Sequence, residues 1–295
     1  QLSPAAKRRS LTGWAFLIPA AVLIGVMMFW PMFQALILSF QTGRGTNLEW
    51  ADPLLFNYDR MLDDDVFRLT MTTTLLYLVI QVPIMLVLAL LFASALNDSK
   101  LWGRSFFRTA IFLPCVTSLV AYSVIFKSMF AGDGIINQVL LGLHIVSEPI
   151  AWLADPFWAK FVVVSAITWR WTGYNMIFYL AAMQNIDRSI YEAARIDGVP
   201  TWARFWYITV PMLKPVILFT AVISTIGTLQ LFDEPNLLTQ GGPSDSTLTL
   251  SMYIYNLSFR FMPSFGYAAT VSYVIVVLVA ILSYIQFLVA RDRRA

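Results

Sequence analysis

Six stretches of this chain are apolar over close to twenty residues each, at about 13–36, 71–96, 106–126, 157–183, 213–232 and 268–290. No other feature limits the fold as strongly. A helix rises about 1.5 Å per residue, so roughly 20 apolar residues cross the ~30 Å hydrocarbon core of a bilayer. Hydrophobic residues fill 58% of the 295 positions and charged residues 13%, where a soluble domain carries about 25% charge. A soluble domain of this size has no interior for that much apolar surface. The solvent is therefore lipid, and the expectation is an all-α membrane protein of six spans. Pro19, Pro31 and Pro83 lie in or near spans, where kinks are tolerated if neighbouring groups satisfy the freed carbonyls.

Charge orients the spans. The N-terminal segment, the loops near 97–108 and 184–215 and the C-terminal tail hold thirteen basic and five acidic residues. The other three loops, with Lys160 just inside the fourth run, hold six basic and twelve acidic residues. Basic residues collect on the cytoplasmic side, so both termini are expected inside. Residues 1–12 form a cytoplasmic N-terminal segment, 13–290 the transmembrane domain and 291–295 a cytoplasmic tail. Lys7-Arg8-Arg9 before the first run has the look of a signal-peptide start, but the run is too long for one and lacks a small-residue cleavage site. The pI near 9.0 does not point to nucleic acid, because the basic residues form no single patch. The single Cys115 allows neither an intrachain disulfide nor a cysteine-cluster metal site. It lies in an apolar run and is expected to be an inert buried thiol.

The loop at 184–215 is polar and charged between two runs that enter lipid. Local rules predict two short helices. Ser189-Ile190-Tyr191-Glu192 has the form of a capping box, and Ala193 and Ala194 favour helix. Gly198 stands where a helix end needs a left-handed residue, with Pro200 beyond it. Thr201 is the expected cap of a second helix bearing Trp202, Phe205 and Trp206 on one stripe. Pro211 and Pro215 then mark entry into the fifth span. Such a loop is either an interfacial elbow, with Glu192 paired to Arg188 or Arg195, or a docking element for a cytoplasmic partner.

Glu192-Ala193-Ala194, Gly198, Ile208, Val210 and Pro211 resemble the E-A-A-x3-G-x9-I-x-L-P loop of permease subunits of binding-protein-dependent ABC importers, with Val for Leu at 210. Asp197 and the Lys214-Pro215 ending also match. Leu237-Leu238-Thr239-Gln240-Gly241-Gly242-Pro243, followed by Ser246-Thr247 and Tyr253-Ile254-Tyr255, is similar to the L-T-x-G-G-P segment of the carbohydrate-uptake, maltose-type branch. Taken alone that segment is an ordinary Gly-Pro turn.

The resemblance implies a type I ABC importer permease fold in a bacterial or archaeal cytoplasmic membrane, with a coupling helix between spans four and five. Glu192, Ala193, Ala194, Asp197, Gly198, Ile208 and Pro211 would then meet a separate ATPase. The implied partners are two ATPase subunits, a second six-helix permease (a heterodimer) and an extracytoplasmic solute-binding protein. ATP and Mg would sit on the ATPase, with no cofactor or metal on this chain. The implied solute is a sugar, with a polyol or glycerol phosphate as the alternative.

The chain has no G-x4-G-K-[ST] to cradle a nucleotide. Its single histidine, His144, falls in an outer loop with no Ser/His/Asp set around it, so an enzyme is not expected. A secondary transporter would need buried carboxylates and broken-helix repeats, and neither is apparent.

Arg170 is the one ionisable residue near the middle of an expected span, which makes it a functional candidate by default. Residues 167, 170, 171 and 174 share a helical face, so Arg170, Trp171 and Tyr174 converge. Aromatic faces with fixed donors suit a sugar. The alternative is that Arg170 snorkels or pairs with a neighbouring helix. In the fifth span Ser224, Gly227, Thr228 and Leu231 share a face, which serves either a solute or close helix packing. Gln81 is a further candidate, and Asp233 and Glu234 approach the outer end. By the resemblance, the faces flanking the loop line the solute pathway.

Overall fold

The computed structural model describes residues 4–290 except 46 and 99, with side chains described from residue 13 onward. The side chains of Lys7, Arg8 and Arg9 and the whole tail 291–295 lie outside the described residues. Fourteen α-helices and one small hairpin are present among the described residues. Helix α1 (Pro4–Ile24) runs through a π-helical turn (Gly25–Phe29) into α2 (Trp30–Ser39). A two-stranded antiparallel hairpin follows, β1 (Gln41–Arg44) and β2 (Asn47–Trp50), with Gln41 opposite Trp50. Then come α3 (Phe56–Asp63), α4 (Asp65–Asn97), α5 (Arg104–Val116), α6 (Leu119–Met129) and α7 (Ile135–Gly142). The second half holds α8 (Pro156–Gln184), α9 (Arg188–Ile196), α10 (Thr201–Arg204), a π turn (Phe205–Thr209) and α11 (Val210–Leu229). It ends with α12 (Asp233–Leu238), α13 (Leu250–Tyr255), a third π turn (Asn256–Arg260) and α14 (Phe265–Ala290).

Each π turn lies just ahead of a proline: Pro31, Pro211 and Pro263. A proline lacks an N–H, so the carbonyl four residues back loses its partner. The preceding N–H groups reach back five residues instead, from Trp30 to Gly25, Val210 to Phe205 and Phe261 to Asn256. At Pro31 and Pro211 the helix continues through the proline, whereas the third ends at Arg260 with Phe261 extended.

Four helices are long and apolar enough to cross a membrane among the described residues: Gly13–Ser39, Asp65–Asn97, Thr201–Leu229 and Phe265–Ala290. Two expected spans need correction, and a third is more polar than the rest. The run expected at 106–126 is not one rod: α5 and α6 meet at 103°. Pro114 withdraws a hydrogen bond near the end of α5, and Thr117 (ψ 145°) and Ser118 (ψ 130°) are extended. The span expected at 213–232 begins far earlier, at Thr201, because the π turn absorbs Pro211 and the helix also continues through Pro215. The run expected at 157–183 forms the 29-residue α8, roughly 43 Å long, yet it is not among the four helices that qualify by length and hydropathy together. Thirteen of its residues are buried. Much of α8 is therefore solvated by protein rather than lipid, which relaxes the demand for apolarity.

The chain divides into two compact units, residues 1–64 with 254–274 and residues 65–253 with 275–295. In the first, Asn57 Nδ2 donates to the carbonyls of Ser39 (3.0 Å) and Gln41 (2.8 Å), and Thr270 Oγ1 donates to Ser39 O (3.1 Å). A Cβ on Gly266 would lie 1.8 Å from Gln41 O, so only glycine allows that approach of backbones.

The second unit is built on α8. One cluster joins Ala89, Ala93, Met176, Tyr179 and Leu213, and another joins Tyr77, Tyr122, Phe126, Trp152 and Ile167. Helix α5 crosses α8 at Gly173, where a Cβ would stand 2.1 Å from Ile111 O. Close crossings through small residues are a membrane-protein device, because lipid gives helices no hydrophobic drive to associate.

Candidate functional site

A cavity of about 220 Å³ lies among α4, α8, α11 and the start of α12. Of the seven residues expected along the pathway, Trp171, Tyr174, Ser224, Gly227, Thr228 and Leu231 line it. Helical spacing puts them there: α8 and α11 each turn one face inward at i, i+3 and i+4. Gln81, the further candidate, lines it as well, with Met85, Ile167, Asn175, Ile223, Gln230, Phe232, Asp233 and Glu234.

Arg170 is not on the lining. Its Nη1 lies 3.6 Å from Glu234 Oε1, with the two side chains 14% and 5% exposed. Its guanidinium also stands 5.6 Å from the ring centroids of Tyr122 and Trp171. The pairing with a neighbouring helix, the alternative left open above, is therefore the one realised. Glu234 Oε1 also accepts a 3.3 Å hydrogen bond from Trp171 Nε1. Burial pushes the Glu234 carboxyl above the usual range, while Arg170 and Trp171 pull it back.

An uncharged polar set faces the same space. Thr228 Oγ1 donates to Gln81 Oε1 at 3.1 Å, and Gln81 Nε2 donates to Met85 Sδ at 3.1 Å. Asn175 Nδ2 donates to Trp171 O at 3.0 Å and reaches Met85 Sδ at 3.6 Å. Trp171 and Tyr174 meet edge to face, with centroids 5.6 Å apart. Aromatic faces, amides and hydroxyls without a lining cation suit a polyhydroxylated solute better than an anion. Sequence reasoning left Glu234 at the outer end of a span and did not single out Met85. Only the return of α12 toward α8 brings Glu234 to the cavity.

The charged loop folds as expected in outline and differently in detail. Helix α9 starts at Arg188, not after Ser189, because Asp187 is the N-cap: its carboxylate accepts from Ser189 N at 2.9 Å. That bond holds the Asp187 carboxyl below its ordinary range. The Ser189–Glu192 capping box does not form, since the aspartate caps the helix two residues earlier. The C-terminus closes with two bonds, Gly198 N to Arg195 O (3.1 Å) and Val199 N to Ala194 O (2.9 Å), with Gly198 at φ +71°. This pairing caps a helix and turns the chain at once. Thr201 does not cap α10; Pro200 holds that position. Thr201 Oγ1 instead accepts from Arg204 Nη2 at 2.8 Å.

Tyr191 OH and Thr209 Oγ1, 3.0 Å apart, tie α9 to the π turn that leads into α11. Ala194 is buried, while Glu192, Ala193, Asp197, Gly198 and Pro211 are exposed and Ile208 is half-buried. Ile196 is 86% exposed. No ion pair joins Glu192 to Arg188 or Arg195 among the described residues.

The Gly-Pro segment is partly buried, with Gly241, Ser246 and Thr247 inside and Gln240, Ser244 and Asp245 exposed. Thr239 and Thr247 hydroxyls lie 2.6 Å apart, and Thr247 Oγ1 donates to Gly242 O at 2.9 Å. Thr73 Oγ1 and Thr74 Oγ1 of α4 bond Ser246 O and Leu250 N across the unit. Gly241 takes φ +85°, and a Cβ there would meet Leu248 at 3.0 Å. His144 is exposed and Cys115 half-buried.

The chain is 60% identical over 286 residues to the lactose transport system permease protein LacF of Rhizobium radiobacter, covering 96% of this chain and 95% of that one. Among solved structures it is similar to a bacterial ABC transporter involved in import of the acidic polysaccharide alginate, with TM-score 0.84, 21% identity and 98% of both chains covered. A second alginate transporter structure, in complex with an alginate pentasaccharide-bound periplasmic protein, matches at TM-score 0.72 and 23% identity over 96% of this chain and 93% of that one. Residues 67–295 match the model of the binding-protein-dependent transport system inner membrane component. With these helices and this permease-type sequence, the chain belongs to that family: it is a multi-pass inner-membrane permease subunit, not an enzyme.

Proposed function

We propose that this chain forms part of the translocation pathway of an ATP-driven sugar importer. One observation carries the reading: the cavity lined by Trp171, Tyr174, Gln81 and Asn175 takes part of its wall, Ser224, Gly227 and Thr228, from the helix that begins in the charged loop. The 60% identity to a lactose permease supports a saccharide solute. A solute-binding protein delivers the sugar at the outer face, and the alginate transporter bound to its periplasmic protein is the structural precedent for such a partner. The chain pairs with a second, different permease. Two ATPase subunits bind ATP and Mg on the cytoplasmic side, where both termini of this chain also lie.

The loop transmits the ATPase motion. Glu192, Ala193 and Ile196 are exposed on α9 and available to a partner. The Tyr191–Thr209 bond and the unbroken helix from Thr201 to Leu229 link that surface to Ser224, Gly227 and Thr228 at the cavity. A rigid helix converts displacement at its cytoplasmic end into displacement of the cavity wall. ATP binding drives transport only if the ATPase contacts the loop differently in the two states, since equal contacts bias nothing.

The test is Glu192→Lys in the complete transporter, with sugar uptake and ATPase activity measured in reconstituted vesicles. The expected outcome is an assembled or partly assembled complex whose uptake falls at least about tenfold, equivalent to about 1.4 kcal/mol of coupling. Unchanged uptake overturns the coupling role.

A further inference from the structure

We infer that the Arg170–Glu234 pair makes this pathway selective for neutral saccharides over acidic ones. The inference rests on the proposed sugar transport and names the class of sugar. Arg170 is a basic residue of α8 beside the site, and a sequence view leaves it free to receive a phosphate or carboxylate. The structure removes that option. Its Nη1 is 3.6 Å from Glu234 Oε1, its side chain is nearly buried, and it does not reach the lining.

The charged groups that do line the cavity are both acidic, Asp233 and Glu234. Glu234 is further held by Trp171 Nε1 at 3.3 Å, which keeps its carboxylate on the wall beside the aromatic face. A neutral sugar meets acceptors for its hydroxyls in Glu234, Gln81 and Asn175, and apolar faces in Trp171 and Tyr174. A uronate or sugar phosphate in this space of about 220 Å³ finds the Arg170 charge already taken by Glu234 and meets the Glu234 and Asp233 carboxyls on the lining. No lining cation offsets them, because the guanidinium is already committed. Arg170 thus serves as a positioning residue: it holds Glu234 in place and is itself hidden from the solute.

The experiment compares uptake of lactose with uptake of its counterpart oxidised to a carboxylate at the galactose C6, by the complete transporter with its binding protein in vesicles. The ratio of the two rates is the readout. Binding protein is common to all variants, so its own preference cancels between them. Wild type is expected to favour the neutral sugar, and Glu234→Gln to shift the ratio toward the acid by about tenfold or more. Glu234→Asp keeps the wild-type ratio. Arg170→Met/Glu234→Gln removes both charges and gives a smaller shift than Glu234→Gln alone, since no guanidinium is unmasked.

If Glu234→Gln fails to assemble, Asp233→Asn, an exposed position on the same wall, reads the same field and is expected to shift the ratio about threefold. Equal uptake of both sugars by wild type overturns the inference, as does an unchanged ratio in every assembled variant. Failure of wild type to take up either sugar instead overturns the sugar reading on which the inference rests.

Discussion

The cavity wall and the charged loop are joined by one helix, yet they are stabilised in opposite ways. The loop is held by neighbours in sequence: Asp187 caps Ser189, and Gly198 and Val199 return to Arg195 and Ala194. Its outward face, with Glu192 and Ile196, is exposed. The cavity wall is held by distant partners, such as Thr228 with Gln81, 147 residues apart, and Trp171 with Glu234, 63 apart. A surface that a partner must find is set by local chemistry and left bare. A space that must keep its shape is braced from several helices.

That contrast predicts which mutations destroy the molecule and which only uncouple it. The largest effect is expected at Gly173. A side chain there collides with backbone, Ile111 O at 2.1 Å, which has no rotamer to give way. Gly173→Val should cost about 3 kcal/mol or more and appear as lost assembly or a markedly lower thermal midpoint; a folded, active variant would break the case for bracing.

Thr228→Val comes next. It leaves Gln81 Oε1 without its donor and should cost about 1 kcal/mol, with sugar uptake reduced several-fold in a complex that still assembles. Normal uptake would separate the polar set from the pathway.

Gly198→Val reverses the pattern. A Cβ there meets open space, but φ is +71°, so the cost is backbone strain of roughly 1–2 kcal/mol confined to the loop. Thermal stability should change little while uptake driven by ATP falls at least about tenfold. Equal losses of stability and uptake would erase the distinction between the two regions.

The smallest effect is expected at Asp187. Its carboxyl is held down by Ser189 N–H, so the cap is present at neutral pH and is lost as pH falls through its lowered pKa. Asp187→Ala should speed amide exchange at the start of α9 at pH 7 and match wild type at strongly acidic pH. No acceleration at pH 7 would remove Asp187 as the cap.

Much of the loop was legible because its signals are local. Gly198 marks a left-handed turn whatever surrounds it, and the Glu192-to-Pro211 spacing survives without knowledge of packing. The misreadings there were a matter of competition between neighbours: Asp187 displaced Ser189 as cap, and Pro200 displaced Thr201. Helical spacing grouped the residues of the α8 and α11 faces, and the family resemblance picked those faces out. The role of Arg170 was not, because a charge in a span says only that a partner is needed.

The sequence by itself determined the lipid solvent, most of the apolar helices in outline and the left-handed turn at Gly198, since apolar length and turn chemistry act over a few residues. Tertiary structure alone decided that the third apolar run breaks at 103° and that Pro211 lies inside a continuous helix. It also decided that Glu234 comes back to meet Arg170 at 3.6 Å. The last two outcomes depend on how a lost hydrogen bond or a buried charge finds its partner, and the partner stands on another helix or one residue beyond the usual reach.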